Sequence, residues 1–194
     1  MKPSIKYINL FIISIIISST TAHADLQEGL NAAHRGDYAD ALSEWKASAD
    51  QGNSVAQHNL GLMYTLGDGV PQNYVEAMKW YRLAADQGYA YAQHNIGLMY
   101  DKGNGVEQNY GQAAKWYRLA GEGGNVRAQF ILGLWYSIGD QVSQNNEEAV
   151  KWYRLATDQG HERAQLFLAS MYALGLGVPR DYIEAEKLYR LAAD

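Results

Sequence analysis

Ser43-Glu44-Trp45-Lys46 places a hydroxyl three residues ahead of an amine, a spacing at which a lysine can assist a serine nucleophile. Acyl-transfer chemistry built on Ser-x-x-Lys also requires Ser-Asp-Asn and Lys-Thr-Gly elements, and the chain has neither. His58 and His94 occupy matching slots 36 residues apart. A shared metal would need both ring nitrogens within about 2.1 Å of it and one or two further ligands. Neighbouring helices lie roughly 8–10 Å apart. No Cys or carboxylate recurs beside these histidines, and the same slot later holds Phe130 and Leu166. His161-Glu162-Arg163-Ala164-Gln165 begins like a zinc-protease helix but lacks the second His. The Gly-x-Gly segments lack the Gly-Lys-Ser/Thr of a phosphate loop. The expectation is no catalytic residue, no metal site and no cofactor.

What positions these residues is a repeat of 36 residues. Tyr38-Ala39-Asp40-Ala41 returns as Tyr74-Val75-Glu76-Ala77, Tyr110-Gly111-Gln112-Ala113, Asn146-Glu147-Glu148-Ala149 and Tyr182-Ile183-Glu184-Ala185. Trp80-Tyr81-Arg82-Leu83-Ala84 recurs from Trp116 and Trp152, and from Leu188 with Leu in place of Trp. Between them lie Ala56-Gln57 and Leu60-Gly61-Leu62-Met63-Tyr64, matched from Ala92, Ala128 and Ala164. Repeats of this length signal stacked supersecondary units.

Each period holds two helices. Tyr74, Ala77, Met78, Tyr81 and Ala85 form one helical stripe, with Trp80 and Leu83 well off it, so the helix should be covered on two sides. Trp80, Trp116 and Trp152 form a ladder, read as packing between repeats ahead of a row of binding anchors. Gly61, Gly97 and Gly133, with Ala169 in the fourth copy, sit mid-helix. There Gly costs about 1 kcal/mol relative to Ala, so a small residue should be letting two helix backbones approach. Gly67-Asp68-Gly69, Gly103-Asn104-Gly105 and Gly175-Leu176-Gly177 close one helix, and Gly52, Gly88, Gly124 and Gly160 close the other. Gln141 stands at a second-Gly position and should strain or re-route its turn.

The Ala-Gln, Leu-Gly-x-Met-Tyr, Gly-x-Gly-Val and Ala-x-x-Trp-Tyr-x-x-Ala-Ala elements resemble the Sel1-like repeat family, relatives of the tetratricopeptide repeats. Four such repeats span residues 53–88, 89–124, 125–160 and 161–194, and residues 25–52 resemble a shorter tetratricopeptide-like hairpin. The resemblance implies an all-α, right-handed α-solenoid of antiparallel helix pairs, about ten helices in the mature chain, acting as a protein–protein adaptor. It further implies a concave groove lined by the first helix of each pair. The lining would be Val55, His58, Leu62 and Thr65; Tyr91, His94, Leu98 and Asp101; Arg127, Phe130, Leu134 and Ser137; and Arg163, Leu166, Ser170 and Ala173. Asn59 and Asn95 match an asparagine that clamps a peptide backbone in some relatives; Ile131 and Phe167 break that pattern. Candidate partner-binding residues are therefore Asn59, Tyr91, His94, Asn95, Asp101, Arg127, Phe130 and Arg163.

Composition narrows the partner. The 194 residues are 47% hydrophobic, which supports a packed core, and carry a net charge of −5 without Lys/Arg runs. Nucleic acid and anionic membrane surfaces both require clustered positive charge. Lys2 and Lys6, the apolar run Ile8 to Ser18, and Ala22-His23-Ala24 read as a leader over residues 1–24, cleaved between Ala24 and Asp25. The run is shorter than the ~20 residues of a membrane span, so no stable insertion should remain after cleavage. Loss of Lys2 and Lys6 with the leader leaves −7 over residues 25–194. There is no Cys, hence neither a disulfide nor a lipid-bearing N-terminal cysteine. The partner would be another envelope or secreted protein, in the periplasm or outside the cell. Self-association through the last helix, by Leu188 or Leu191, is a further expectation. The competing readings are a cell-wall-associated enzyme or binder and a secreted effector that contacts host proteins.

Overall fold

The computed structural model describes residues 26–193; the expected leader and its cleavage point lie outside them. The described residues hold ten helices and no strand. They divide into two units. In the first, to Gln87, α1 (residues 26–35) pairs with α2 (Tyr38–Asp50), and α3 (Ser54–Leu66) with α4 (Tyr74–Ala85). The second, from Gly88, contains α5 (Ala90–Lys102), α6 (Tyr110–Glu122), α7 (Val126–Ile138), α8 (Asn146–Asp158), α9 (Glu162–Leu174) and α10 (Tyr182–Leu191).

Helix starts are set by periodic caps. Asn73, Asn109, Asn145 and Asp181 precede α4, α6, α8 and α10, and each side-chain oxygen accepts from the amide three residues on, at 2.9–3.0 Å. Such a cap satisfies one of the amides a helix start leaves open and is worth about 1 kcal/mol. The first helix of a pair ends on a left-handed glycine, Gly67, Gly103, Gly139 or Gly175.

The mid-helix glycines do something other than expected. The facing surface is a tyrosine ring, not a second helix backbone. A Cβ on Gly97 would lie 2.7 Å from Tyr117 Cδ1 and one on Gly133 2.5 Å from Tyr153 Cδ1; Gly61 is closed in the same way by Tyr81. These three rings are among the most deeply buried side chains in the protein. Gly29 and Trp45 repeat the arrangement in the shorter first hairpin. Where Ala169 replaces the glycine, Tyr189 stays exposed and its hydroxyl meets Ser170 Oγ at 3.0 Å.

Three further expectations resolve. Trp80 and Trp152 pack on the preceding second helix: Trp80 lies under Lys46, and Trp152 lies under Arg118 and against Gly121. Leu83, on the other hand, is 48% exposed, and Leu119 and Leu155 are exposed like it, so that side of the helix remains uncovered. Gln141 does not adopt positive φ; its turn is re-routed, with Gln141 Nε2 donating to Asp140 at 2.6 Å. The second glycine is demanding because Gly177 sits against the start of α8, where a Cβ would reach 2.7 Å from Glu147 N. Finally, Leu188 is buried in its own unit's core and has no surface to offer another copy, whereas Leu191 is exposed.

Gly133→Ala decides between two opposing effects. Alanine gains about 1 kcal/mol of helix propensity, but a methyl group forced into a packed ring costs roughly 1–3 kcal/mol. Urea unfolding of Gly133→Ala should therefore show a net loss of stability.

Candidate functional site

The repeat signature is largely consumed in holding helices together. Gln129 Nε2 donates to Gly121 O at 2.8 Å, and its Oε1 accepts from Gln159 Nε2 at 2.8 Å. Gln57 makes the same relay in the first unit, to Ala49 O at 3.2 Å and from Gln87 at 2.8 Å. A buried amide with both ends paired is stabilising, where an unpaired one would be costly. Arg118 Nη2 donates to Tyr136 OH at 2.6 Å, and Arg154 Nη2 to Tyr172 OH at 2.6 Å, joining the second helix of one repeat to the first of the next. The identical spacing of Arg82–Tyr100, Arg118–Tyr136 and Arg154–Tyr172 was the available signal for this latch.

Some of the candidate residues are also committed. Thr65 and Ser137 meet the hydroxyls of Tyr81 and Tyr153 at 3.0 and 3.1 Å. Asp101 holds the same slot in the second repeat. There Tyr117 OH is buried without a hydrogen bond, and burial, with the Asp101 charge second, pushes its pKa up. Asp101 also lies 3.3 Å from Lys102. His94 is buried against the Tyr117 ring at 5.7 Å, with Nδ1 3.2 Å from Asn95 Oδ1. Phe130 is buried too, stacked on His161 at 4.6 Å and covered by Arg163 at 5.2 Å. Asn59 is buried in the first unit, and its Nδ2 has no acceptor.

The residues that project are fewer. Tyr91 is 58% exposed, and Arg127 and Arg163 are exposed at the matching position of α7 and α9. These three share one repeat slot, which is Val55 in the first unit. In the second unit the face of α5, α7 and α9 thus offers an aromatic and two guanidiniums over a floor that includes Phe130. Such a surface can bind by stacking and bidentate hydrogen bonding.

Lys46 Nζ is held by Asp50 at 2.7 Å and lies 5.1 Å over Trp80, and no hydrogen bond joins it to Ser43. No three His, Cys, Asp or Glu side chains converge among the described residues. No helix among them is long and apolar enough to cross a membrane.

Sel1 repeats are recognised over residues 54–89, 90–125, 126–161 and 162–194. The chain belongs to the Sel1 repeat family. Its all-α fold is the α-solenoid of helix pairs characteristic of that family, and Sel1 repeat proteins are protein-interaction scaffolds, typically without enzymatic activity. It is similar to a protective antigen of uropathogenic Escherichia coli, at 38% identity and a TM-score of 0.82, over 91% of this chain and 38% of that one. It is also similar to a Sel1 repeat protein from Oxalobacter formigenes, at 40% identity and a TM-score of 0.69, over 80% of this chain and 62% of that one. An immunity protein of Pseudomonas aeruginosa shares the fold at 22% identity, with a TM-score of 0.59, over 89% of this chain and 64% of that one. The chain thus spans 38% and 62% of the first two relatives. No curated protein matches it.

Two histidines give this Sel1 protein a pH dependence. Burial holds the His94 pKa below the ordinary imidazole value, outweighing its bond to Asn95, and Arg127 adds to the lowering. Burial lowers His161 as well, and His161 Nδ1 caps α9 by accepting from Ala164 N at 3.2 Å, which requires an unprotonated Nδ1. The unfolded chain therefore binds protons that the fold does not. Stability is complete above the ordinary value and falls as pH drops below it. Thermal melts should show a lower midpoint at about pH 5 than at about pH 7.5. His94→Phe combined with His161→Asn, residues borrowed from the same slots in other repeats, should reduce that difference.

Proposed function

We propose that this Sel1 repeat protein is an exported, non-enzymatic adaptor of the bacterial envelope that holds a segment of another envelope or secreted protein on its first-helix face. The observation that carries this reading is the contrast along a single helix type. Ala92, Ala128 and Ala164, Ile96, Leu132 and Leu168, and Gly97 and Gly133 recur and are buried. One slot on the same helices runs from Val55 through Tyr91 to Arg127 and Arg163, and these last three face outward. Packing constrains the first set and leaves the second available for recognition. Tyr and Arg are also the residue types that dominate binding hot spots.

Export rests on the leader-like residues 1–24. The relatives' names add a bacterial setting: one is called a protective antigen of uropathogenic Escherichia coli. Preformed helices also keep the ordering cost of binding low.

Two measurements test the two halves. The mass of the protein recovered from the periplasm or medium should correspond to a chain beginning at Asp25; retention of residues 1–24 on a cytoplasmic protein would refute export. Substituting Tyr91→Ala and Arg127→Ala together should release a partner crosslinked in the native envelope, with a loss of at least about tenfold in affinity and an unchanged circular dichroism spectrum. A partner held equally well by the double variant would refute this face.

A further inference from the structure

In the first unit a half-enclosed cavity of about 150 Å³ opens between α1, α2 and α3, walled by Tyr38, Trp45, Leu62 and Met63. Leu66, 63% exposed, lines it too. An apolar cavity of about this volume accepts a benzene-sized group. The second repeat keeps the same pair, Asn95 and Met99, whereas the third and fourth each place a ring in one of the two slots. Trp135 stands two periods after Met63 and lies edge-on to Tyr110 at 6.0 Å and Tyr117 at 5.3 Å, the counterparts of Tyr38 and Trp45. Phe167 stands three periods after Asn59 and stacks on Tyr153 at 5.5 Å. In the first unit neither position carries a ring.

Asn59 is 9% exposed, it lines the cavity, and its Nδ2 is buried without an acceptor. Phe167 shows that an apolar residue can fill this slot. In the first unit this slot holds a short amide, and Nδ2 itself is closed off from the cavity. The first unit is acidic: residues 26–87 hold eight Asp or Glu against four Lys or Arg. Arg35, Lys46 and Lys79 are each paired with a carboxylate, and Asp68 lines the cavity itself.

We propose that this cavity receives one aromatic or branched apolar side chain from a protein partner, on a segment with Lys or Arg beside it. The proposal rests on the adaptor reading and names the chemistry of what that adaptor holds. The apolar side chain gives the affinity, because it leaves water for a preformed site. The basic flanks give the preference, because opposite charges steer the encounter and like charges oppose it.

The test titrates three peptides into the purified protein: acetyl-Lys-Phe-Lys-amide, acetyl-Lys-Ala-Lys-amide and acetyl-Glu-Phe-Glu-amide. The Met63 methyl and Trp45 indole N–H resonances are the reporters. The first peptide should shift both saturably, with affinity at least about tenfold above the other two. Met63→Trp, read at Trp45 alone, and Asn59→Phe, read at both reporters, each taken from the matching slot of a later repeat, should abolish the shifts while circular dichroism shows a folded chain; two plugs guard against one failing to fold. Equal response to all three peptides, no response, or binding that survives both plugs overturns the proposal. So do reporter shifts that depend on protein concentration alone, which would assign the cavity to a second copy. If the cavity fails while Tyr91→Ala with Arg127→Ala still releases a partner, the adaptor reading stands without it. If peptide binds here but that pair releases nothing, the other face falls instead.

Discussion

A tyrosine ring pressed on a glycine of the facing helix sets the geometry of the hairpins. Gly61 with Tyr81, Gly97 with Tyr117 and Gly133 with Tyr153 bring two helices close enough that a methyl group would collide with the ring. The ring buries its whole apolar surface there, and its hydroxyl emerges near the end of the first helix, at Thr65 or Ser137. This contact fixes the rotation of both helices, because only one face of each can meet the other. It thereby decides which slots turn inward and which outward.

A second set of contacts joins one repeat to the next within a unit. The Gln129 relay and the Arg118–Tyr136 and Arg154–Tyr172 latches are polar, and the Gln, Arg and Tyr that make them recur at the repeat spacing. Burial explains this. A polar group shut away from water must find its partner at each step of the stack, or the step is destabilised. Much of what makes the sequence recognisable is thus already engaged in internal bonds. The recognition proposed above accordingly falls on residues outside the signature, such as Tyr91, Arg127 and Arg163, and on places where a signature slot is underfilled, such as Asn59 and Met63.

Individual residues show how far the pattern could be read. The period located every described helix, and the lysine of the Ser43–Lys46 motif is tied to Asp50 and Trp80. The mid-helix glycines were recognised as close approaches but with the wrong partner, because spacing reveals that room is needed without showing what enters it. Leu83 was expected to be covered and is not, since hydrophobicity says nothing about which neighbours are in reach. Leu188 and Leu191 looked alike from the sequence, yet one is core and the other surface. Asn59, His94 and Phe130 were grouped with exposed candidates, whereas all three are buried.

The sequence alone determined the helix pairs, their boundaries and the repeat family. Those follow from local rules: caps, left-handed glycines and a period that returns each residue type to the same environment. Tertiary structure decided which members of a shared slot remain available. That depends on volumes contributed by other helices, so Met63 lines a cavity where Trp135 packs edge-on to two rings, and Asn59 Nδ2 lies unpaired where Phe167 stacks. No reading of one helix contains that information, because the space a side chain leaves empty is a property of everything packed around it.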